Sequence, residues 1–370
     1  LPDRVRLVVL FGGRSAEHDI SCVSASHVLR AADPHRYDLV PVAITREGGW
    51  QLAEGAARLL GEGRRAELPE ALGVDGPRTD PFEVFGAVAA DDPAPPTVVL
   101  PMLHGPNGED GTVQGLLELA GVPYVGTGVL GSALAMDKAM AKTVLGAAGI
   151  PQVPWRELRR TQLGEPDLAT ALLDELGSPL FVKPANMGSS IGVSKVRDAA
   201  GLDAALRLAA DYDEVLVVEA GVEGRELECA VLGNDRPRAS VVGEILPTAD
   251  FYDYEDKYLA GSSQQVVPAE LPDDVSDAAR ALALAAYAAL RAEGMARVDL
   301  FLCERDGGAE LLVNEVNTIP GFTPISMYPM LWRASGLSSS GLLDELVALA
   351  LERHERRSMR RTDHPGRERS

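Results

Sequence analysis

At 370 residues the chain has room for two or three domains. A net charge of −20 argues against a nucleic-acid surface, which needs a basic stripe, but leaves room for local positive sites that hold nucleotide phosphates. With 46% hydrophobic residues a disordered chain is excluded and sizeable cores are expected. Cys22, Cys229 and Cys303 lie far apart and form no CxxC pair, so neither a disulfide framework nor a metal cluster is expected, and a reducing cytosol fits. No apolar run reaches the roughly 18–20 residues of a membrane span.

The first third alternates strands and helices. Leu7–Phe11 is a continuous apolar run ending in Gly12-Gly13, as a buried parallel strand would. Ala25, Val28, Leu29 and Ala32 then recur at helical spacing. Leu39–Ile44, Thr97–Leu103 and Val122–Val125 read as further strands, while residues 53–96 give little pattern. An open, largely parallel sheet wrapped by helices is expected. Met136–Ala148 reads as a helix stopped at Gly149-Ile150-Pro151. Leu180–Lys183 and Ile191–Lys195 read as strands joined by a Gly/Ser loop, followed by a helix to about Ala210 and a strand Val215–Glu219. Two more strands fall in 225–245. Residues 247–268 are irregular, polar and aromatic, the mark of a functional lid or of a disordered segment. Order returns with a helix started by Ser276 and stopped by Gly294, then strands Arg297–Cys303 and Glu310–Glu315 around the turn signal Asp306-Gly307-Gly308. From about His354 the chain is polar and Arg-rich, and reads as a disordered tail whose removal should leave activity and melting temperature unchanged.

The sharpest chemical signal is that last hairpin. Alternation along a strand puts Arg297 and Asp299 on one face, and likewise Glu315 and Asn317 on the partner strand. Unpaired buried charge is costly, so these groups need partners. Two readings stay open: an Arg–Asp–Glu salt-bridge cluster, or a Mg²⁺ site made by Asp299, Glu315 and Asn317, whose oxygens are the hard ligands that ion takes. The second signal is KPANMGSSIG at 183–192, where glycines let backbone amides approach phosphate and a lysine adds a point charge. It is neither a P-loop nor a GxGxxG fingerprint, and a plain hairpin loop remains the alternative. Lys138 reads equally as a surface lysine.

The combination is more specific than any block. FGGRSAEHDIS at 11–21, HGPNGEDGTVQG at 104–115, MDK at 136–138, VKPANMGSSIGVSKV at 182–196, FYDYEDKY at 251–258, RVDLF at 297–301 and NEVNTIPGFTPISMYP at 314–329 follow one another in a family's order. The chain thereby resembles the D-alanine–D-alanine ligases of the ATP-grasp superfamily, from about residue 4 to residue 352. The resemblance implies an α/β fold, α+β in its ATP-grasp part. A Rossmann-like substrate domain at 1–135 would precede a central ATP-grasp subdomain at 136–223 and a C-terminal one at 224–353, with the lid at 247–268 and the tail at 354–370. It implies a cytoplasmic enzyme, a homodimer that joins two D-alanines through an acyl phosphate for peptidoglycan synthesis. The substrates are small molecules, with no nucleic acid or membrane partner; ATP is consumed and two Mg²⁺ ions assist, for which Mn²⁺ can substitute.

Residue by residue, the resemblance matches Lys138, Lys183 and Lys257 to phosphate contacts, Glu219, Ala220 and Val222 to the adenine segment, and Glu226 to the ribose. Asp299, Glu315 and Asn317 match metal ligands. Glu17 matches the acid that holds the first substrate's ammonium, with Ser189 and Tyr258 as its hydrogen-bonding partners. Arg297 and the Gly321 amide match the oxyanion-stabilising pair, Ser326 and Met327 the second substrate's carboxylate pocket, and His104 a substrate-site histidine whose alternative is a solvated loop residue. Position 220 is Ala where many relatives carry a longer polar side chain. The competing function is a sister ligase that takes D-lactate or D-serine second; Lys257-Tyr258 in a lid without histidine favours the dipeptide-forming type. Another ATP-grasp enzyme, or a nucleotide-binding regulator with a dead site, fits the full set of blocks less well.

Overall fold

The computed structural model describes residues 2–85, 95–246, 264–305 and 308–361. Its first sheet holds β1 (Val5–Gly12), β2 (Tyr37–Ile44), β3 (Trp50–Leu52) and β4 (Thr97–Pro101) in the order β3-β2-β1-β4. β1 pairs in parallel with β2 and β4, and β3 adds an antiparallel edge, so the largely parallel sheet is as expected. From Leu7 to Phe11 β1 is apolar without a break because both its faces are covered there. The helix His18–Ala31 follows it and buries Cys22, Ala25, Val28 and Leu29 against the sheet. Residues that gave no pattern in the sequence include the helix Glu54–Gly61 and the short helix Pro81–Val84. Val122–Val125 is not a strand. Tyr124 makes an isolated bridge to Val99, and Pro123 has no amide to extend a ladder.

The second sheet is antiparallel, with β5 (Trp155–Arg159), β6 (Leu180–Pro184), β7 (Ser194–Val196) and β8 (Val215–Ala220) in the order β5-β8-β6-β7. The third is also antiparallel: β9 (Arg225–Gly233), β10 (Arg238–Leu246), β11 (Gln264–Val266), β12 (Gly294–Arg305) and β13 (Gly308–Asn317) run in the order β11-β10-β9-β12-β13. The chain is therefore α/β at its start and α+β after it. The helix expected over Met136–Ala148 is observed at Lys138–Ala147, capped by the Asp137 side chain, and a separate helix, Val129–Met136, ends just before it. The helix Lys138–Ala147 packs with the helix Asp273–Ala289 into the core beneath the third sheet. The helix Asp273–Ala289 begins three residues before Ser276, with Asp273 and Asp274 favourably placed in its first turn. β7 starts at Ser194, later than expected, and β11 falls inside the stretch read as irregular. Lys257, Tyr258 and the rest of 247–263 lie outside the described residues.

The carboxyl end departs most from expectation. The helix Ser339–Ser358 passes through His354, the point where disorder was expected to begin. Arg353 is buried, donates to the Tyr124 carbonyl at 2.6 Å and stacks over the Tyr124 ring. Arg356 pairs with Asp235 and Glu293, and Arg357 with Glu118 and Glu293. These arginines bind chain segments far away, a pattern invisible to composition. Truncation after His354 removes both forked pairs, each worth up to about 1 kcal/mol when half-exposed. The melting temperature is expected to fall by about 2–4 °C per kcal/mol lost, while kcat per folded molecule stays at its full-length value. Differential scanning calorimetry beside an activity assay checks both.

Candidate functional site

One cavity of about 720 Å³ opens between the three sheets. Every sequence-predicted site residue that falls among the described ones lines it: Glu17, His104, Lys138, Lys183, Ser189, Glu219, Ala220, Val222, Glu226, Arg297, Asp299, Glu315, Asn317, Gly321, Ser326 and Met327. At one end Val153 and Val222 form a small apolar cluster with Phe301, Leu312 and Cys303.

Glu17 stands at the N-terminus of the helix His18–Ala31, beyond the carboxyl end of β1, where open α/β sheets place their ligands. It is almost fully buried and accepts a hydrogen bond from the Ser189 hydroxyl, so the first and second units meet at this contact. A Cβ added at Gly105 or Gly188 would come within 2.4 Å or 2.6 Å of its Oε2, so a side chain at either position would displace this carboxylate, and Gly105 also has a positive φ of 73°. Ser189 and Ser190 both lie in the left-handed region, at φ 49° and 59°, which costs non-glycine residues on the order of 1 kcal/mol each. The loop is held there from several sides. Lys138 donates to the Met187 carbonyl at 2.5 Å, and Asn186 donates from its amide to Asp213 at 2.8 Å and from its side chain to Asp137 at 3.2 Å.

Lys183 on β6 is paired with Glu219 on β8 at 2.7 Å, and Lys142 takes the other oxygen of Glu219 at 3.1 Å. The side chain of Glu219 thus faces two lysines, while its neighbours Ala220 and Val222 line the cavity. Burial alone would raise the Glu219 carboxyl; Lys142 and Lys183 outweigh it and pull it down to about 2. Burial lowers Lys142, partly offset by Glu219. Lys142 was missed in the sequence, although it lies one helical turn beyond Lys138, on the same helix face. Because the folded carboxyl is depressed, its stabilisation is complete above the ordinary value of 4.5 and fades as pH falls from there towards 2. Glu219→Gln leaves two buried ammonium groups unpaired and is expected to cost about 3–5 kcal/mol. The urea-midpoint gap to wild type should stay constant from pH 7 to 5 and shrink below 4.5.

On β12, Arg297 forks onto Asp299 at 2.7 and 2.6 Å and reaches Glu228 of β9 at 3.1 Å. Burial works against its charge, but Asp299, Glu228 and Glu315 hold its pKa well above the ordinary value. Asp299 lies opposite Glu315 across the ladder, Arg297 opposite Asn317, and Asn317 donates to Asp299 at 3.1 Å. The salt-bridge reading of the hairpin therefore holds as geometry, with Glu228 as a partner the sequence did not reveal. The metal reading is compatible with it. Two carboxylates and an amide oxygen face one end of the cavity, a donor set that fits a hard divalent cation. Among the described residues no group of three or more His, Cys, Asp or Glu is placed to hold a metal ion.

The loop after β13 carries Gly321. A Cβ there would meet Ser326 Oγ at 2.7 Å, which accounts for glycine. Ser326 precedes the helix Met327–Ala334, and the Met327 side chain is buried in the core, so Met327 offers the cavity its backbone at a helix N-terminus. His104 is buried, not a solvated loop residue; its Nδ1 lies 3.0 Å from the Ile319 carbonyl. Burial lowers its pKa, opposed by Glu17. Glu109, overlooked within the HGPNGEDGTVQG block, accepts from the amides of Gly105 at 2.8 Å and Ile319 at 3.1 Å. Burial and the nearby Glu17 push its carboxyl up to about 8.

This arrangement can be set beside known proteins. The family models described as D-ala D-ala ligase N-terminus and D-ala D-ala ligase C-terminus match residues 6–127 and 144–348. The chain is 48% identical to the D-alanine–D-alanine ligase of Deinococcus radiodurans, over 94% of this chain and 98% of that one. It is 46% identical to that of a Thermoanaerobacter species, over 95% and 98%. Among solved structures, the D-alanine–D-alanine ligase from Coxiella burnetii superposes with a TM-score of 0.77 at 36% identity, covering 96% of each chain. The VanG D-Ala:D-Ser ligase from Enterococcus faecalis superposes with a TM-score of 0.78 at 37% identity, covering 94% of this chain and 99% of that one. With both family models matched in order across the sheets that form the cavity, and relatives of this identity over nearly the full length, the chain belongs to the D-alanine–D-alanine ligase family.

Proposed function

We propose that the cavity joins two D-alanines into D-alanyl-D-alanine at the expense of ATP, releasing ADP and phosphate and supplying the dipeptide for peptidoglycan precursors. The observation that carries this reading is the meeting, in one cavity, of a buried ammonium-type acceptor (Glu17), paired lysines, an arginine ringed by carboxylates and an amide donor at Gly321. ATP would lie with its adenine at the apolar end beside Val153 and Val222, its ribose at Glu226 and its phosphates near Lys138, Lys183 and Lys257. Asp299, Glu315 and Asn317 would hold two Mg²⁺ ions, which when bound neutralise phosphate charge.

Glu17, with Ser189 and Tyr258, would anchor the ammonium of the first D-alanine and leave its carboxylate facing the γ-phosphate. A carboxylate oxygen bonds to the γ-phosphorus as the bond to ADP breaks, giving an acyl phosphate. The uncharged amine of the second D-alanine, its own carboxylate held at Ser326 and the Met327 amide, then attacks the acyl carbon. Negative charge develops on the acyl oxygen beside Arg297 and the Gly321 N–H, and phosphate leaves. The amine gives up a proton, which the departing phosphate can take, as the peptide bond forms. Dimer formation and a cytoplasmic location complete the proposal, the former open to light scattering.

Phosphate release that requires ATP, Mg²⁺ and D-alanine together, matched mole for mole by dipeptide, is the expected result. The likeness to a D-Ala:D-Ser ligase gives a second reading for the acceptor. Equal D-alanine and D-serine in one reaction separate the two: a predominance of D-alanyl-D-serine would replace the acceptor assignment and leave the ligase chemistry standing.

A further inference from the structure

Ser24 lies midway along the helix His18–Ala31, fully buried, and has no part in the roles assigned above. Its Oγ is 3.3 Å from the Phe322 amide nitrogen and 3.2 Å from His104 Nε2. The partner of His104 Nδ1 is the Ile319 carbonyl, which can only accept. Nδ1 therefore carries the ring proton, and Nε2 presents a lone pair. The Ser24 hydroxyl accepts from Phe322 N–H and donates to Nε2, so every junction in the chain has one proton. On the other side of the same loop the Ile319 amide donates to Glu109. Pro320 has no N–H to give. Of the amides in residues 319–322, that of Gly321 alone has no hydrogen-bond partner among the described residues, and Gly321 lines the cavity.

We propose that Ser24 is a positioning residue for the ligation step: through Phe322 and His104 it fixes the loop so that the Gly321 N–H points at the acyl oxygen. The inference rests on the reading of Gly321 as an oxyanion donor. Such a donor contributes only if it is aimed before the charge develops, and a loop between sheet and helix does not aim itself. The first unit supplies the three side chains that hold this loop, so the amide is set by residues outside the two sheets that bind the nucleotide.

The test uses the full-length protein with ATP, Mg²⁺ and D-alanine. Ser24→Ala is expected to lower kcat by about 10²-fold, with KM for ATP within about twofold of wild type, since a misplacement near 1 Å has effects of that size. Ser24→Cys, which keeps a weak donor and acceptor, should fall between. A lower melting temperature or a higher KM for ATP with kcat per folded molecule unchanged would overturn the proposal. Should neither variant fold, nitrogen NMR of the His104 ring in the wild type decides, assigned by its contacts to Ile319. A protonated Nδ1 with Nε2 accepting a hydrogen bond is expected; a protonated Nε2 would remove the donor role of Ser24. Wild-type protein that makes no dipeptide would strike the ligase reading instead, whereas active wild type with an equally active Ser24→Ala would strike this inference alone.

Discussion

Arg297→Ala is expected to lower kcat by about two to three decades while KM for ATP moves little, the loss typical of removing a donor to an oxyanion. The same substitution strips Asp299 and Glu228 of a buried partner, and breaking such a pair costs about 3–5 kcal/mol. Melting temperature and turnover should thus fall together. The measurement that separates them is kcat per folded molecule, taken well below the variant's melting point. A purely structural arginine predicts the thermal loss with intact kcat. Arg297→Lys keeps the charge and loses the planar fork that grips both oxygens of Asp299, so it should recover part of the stability and little of the rate.

Glu315→Gln should be the more severe change in rate. It keeps the side chain's shape and removes one of two carboxylates that face each other across β12 and β13. Loss of several kcal/mol of charge stabilisation means several decades in turnover, at about 1.4 kcal/mol per tenfold. A second readout does not depend on activity. Ligands that bind the folded state raise the melting temperature. Wild type should gain thermal stability from Mg²⁺ with ADP, and Glu315→Gln should lose most of that gain. Near-normal turnover at limiting Mg²⁺ would sink the metal assignment.

How far the sequence could be read depended on whether a property was local. β1, β6 and β8 announced themselves as apolar runs between turn signals, and the polar residues at 297, 299, 315 and 317 shared faces because alternation along a strand needs no tertiary knowledge. One helix boundary was missed at Pro272, where no side chain caps, and another at Asp137, an ordinary local cap that the apolar pattern around it concealed. Lys142, Glu228 and Ser24 stayed hidden because each looks ordinary along the chain. A lysine on a helix is usually exposed, and only the arrival of Glu219 from β8 makes Lys142 a buried partner. The Arg-rich end read as a tail for the same reason: Glu293, Glu118 and Asp235, which hold Arg356 and Arg357, are distant in sequence. The residues that line the cavity were legible in the ordered blocks; the supports beneath them were not.

Activation of the first D-alanine as an acyl phosphate is the step on which the proposed ligation turns, and an isotope follows that bond directly. D-Alanine labelled with oxygen-18 in its carboxylate, incubated with the protein, ATP and Mg²⁺, should pass one labelled oxygen to each phosphate released. The bond formed to the γ-phosphorus stays with phosphate when the amine displaces it. Dipeptide and labelled phosphate should appear in equal amounts by mass spectrometry. Dipeptide formed with unlabelled phosphate would rule out the acyl phosphate, because the carboxylate would then have been activated by some other route.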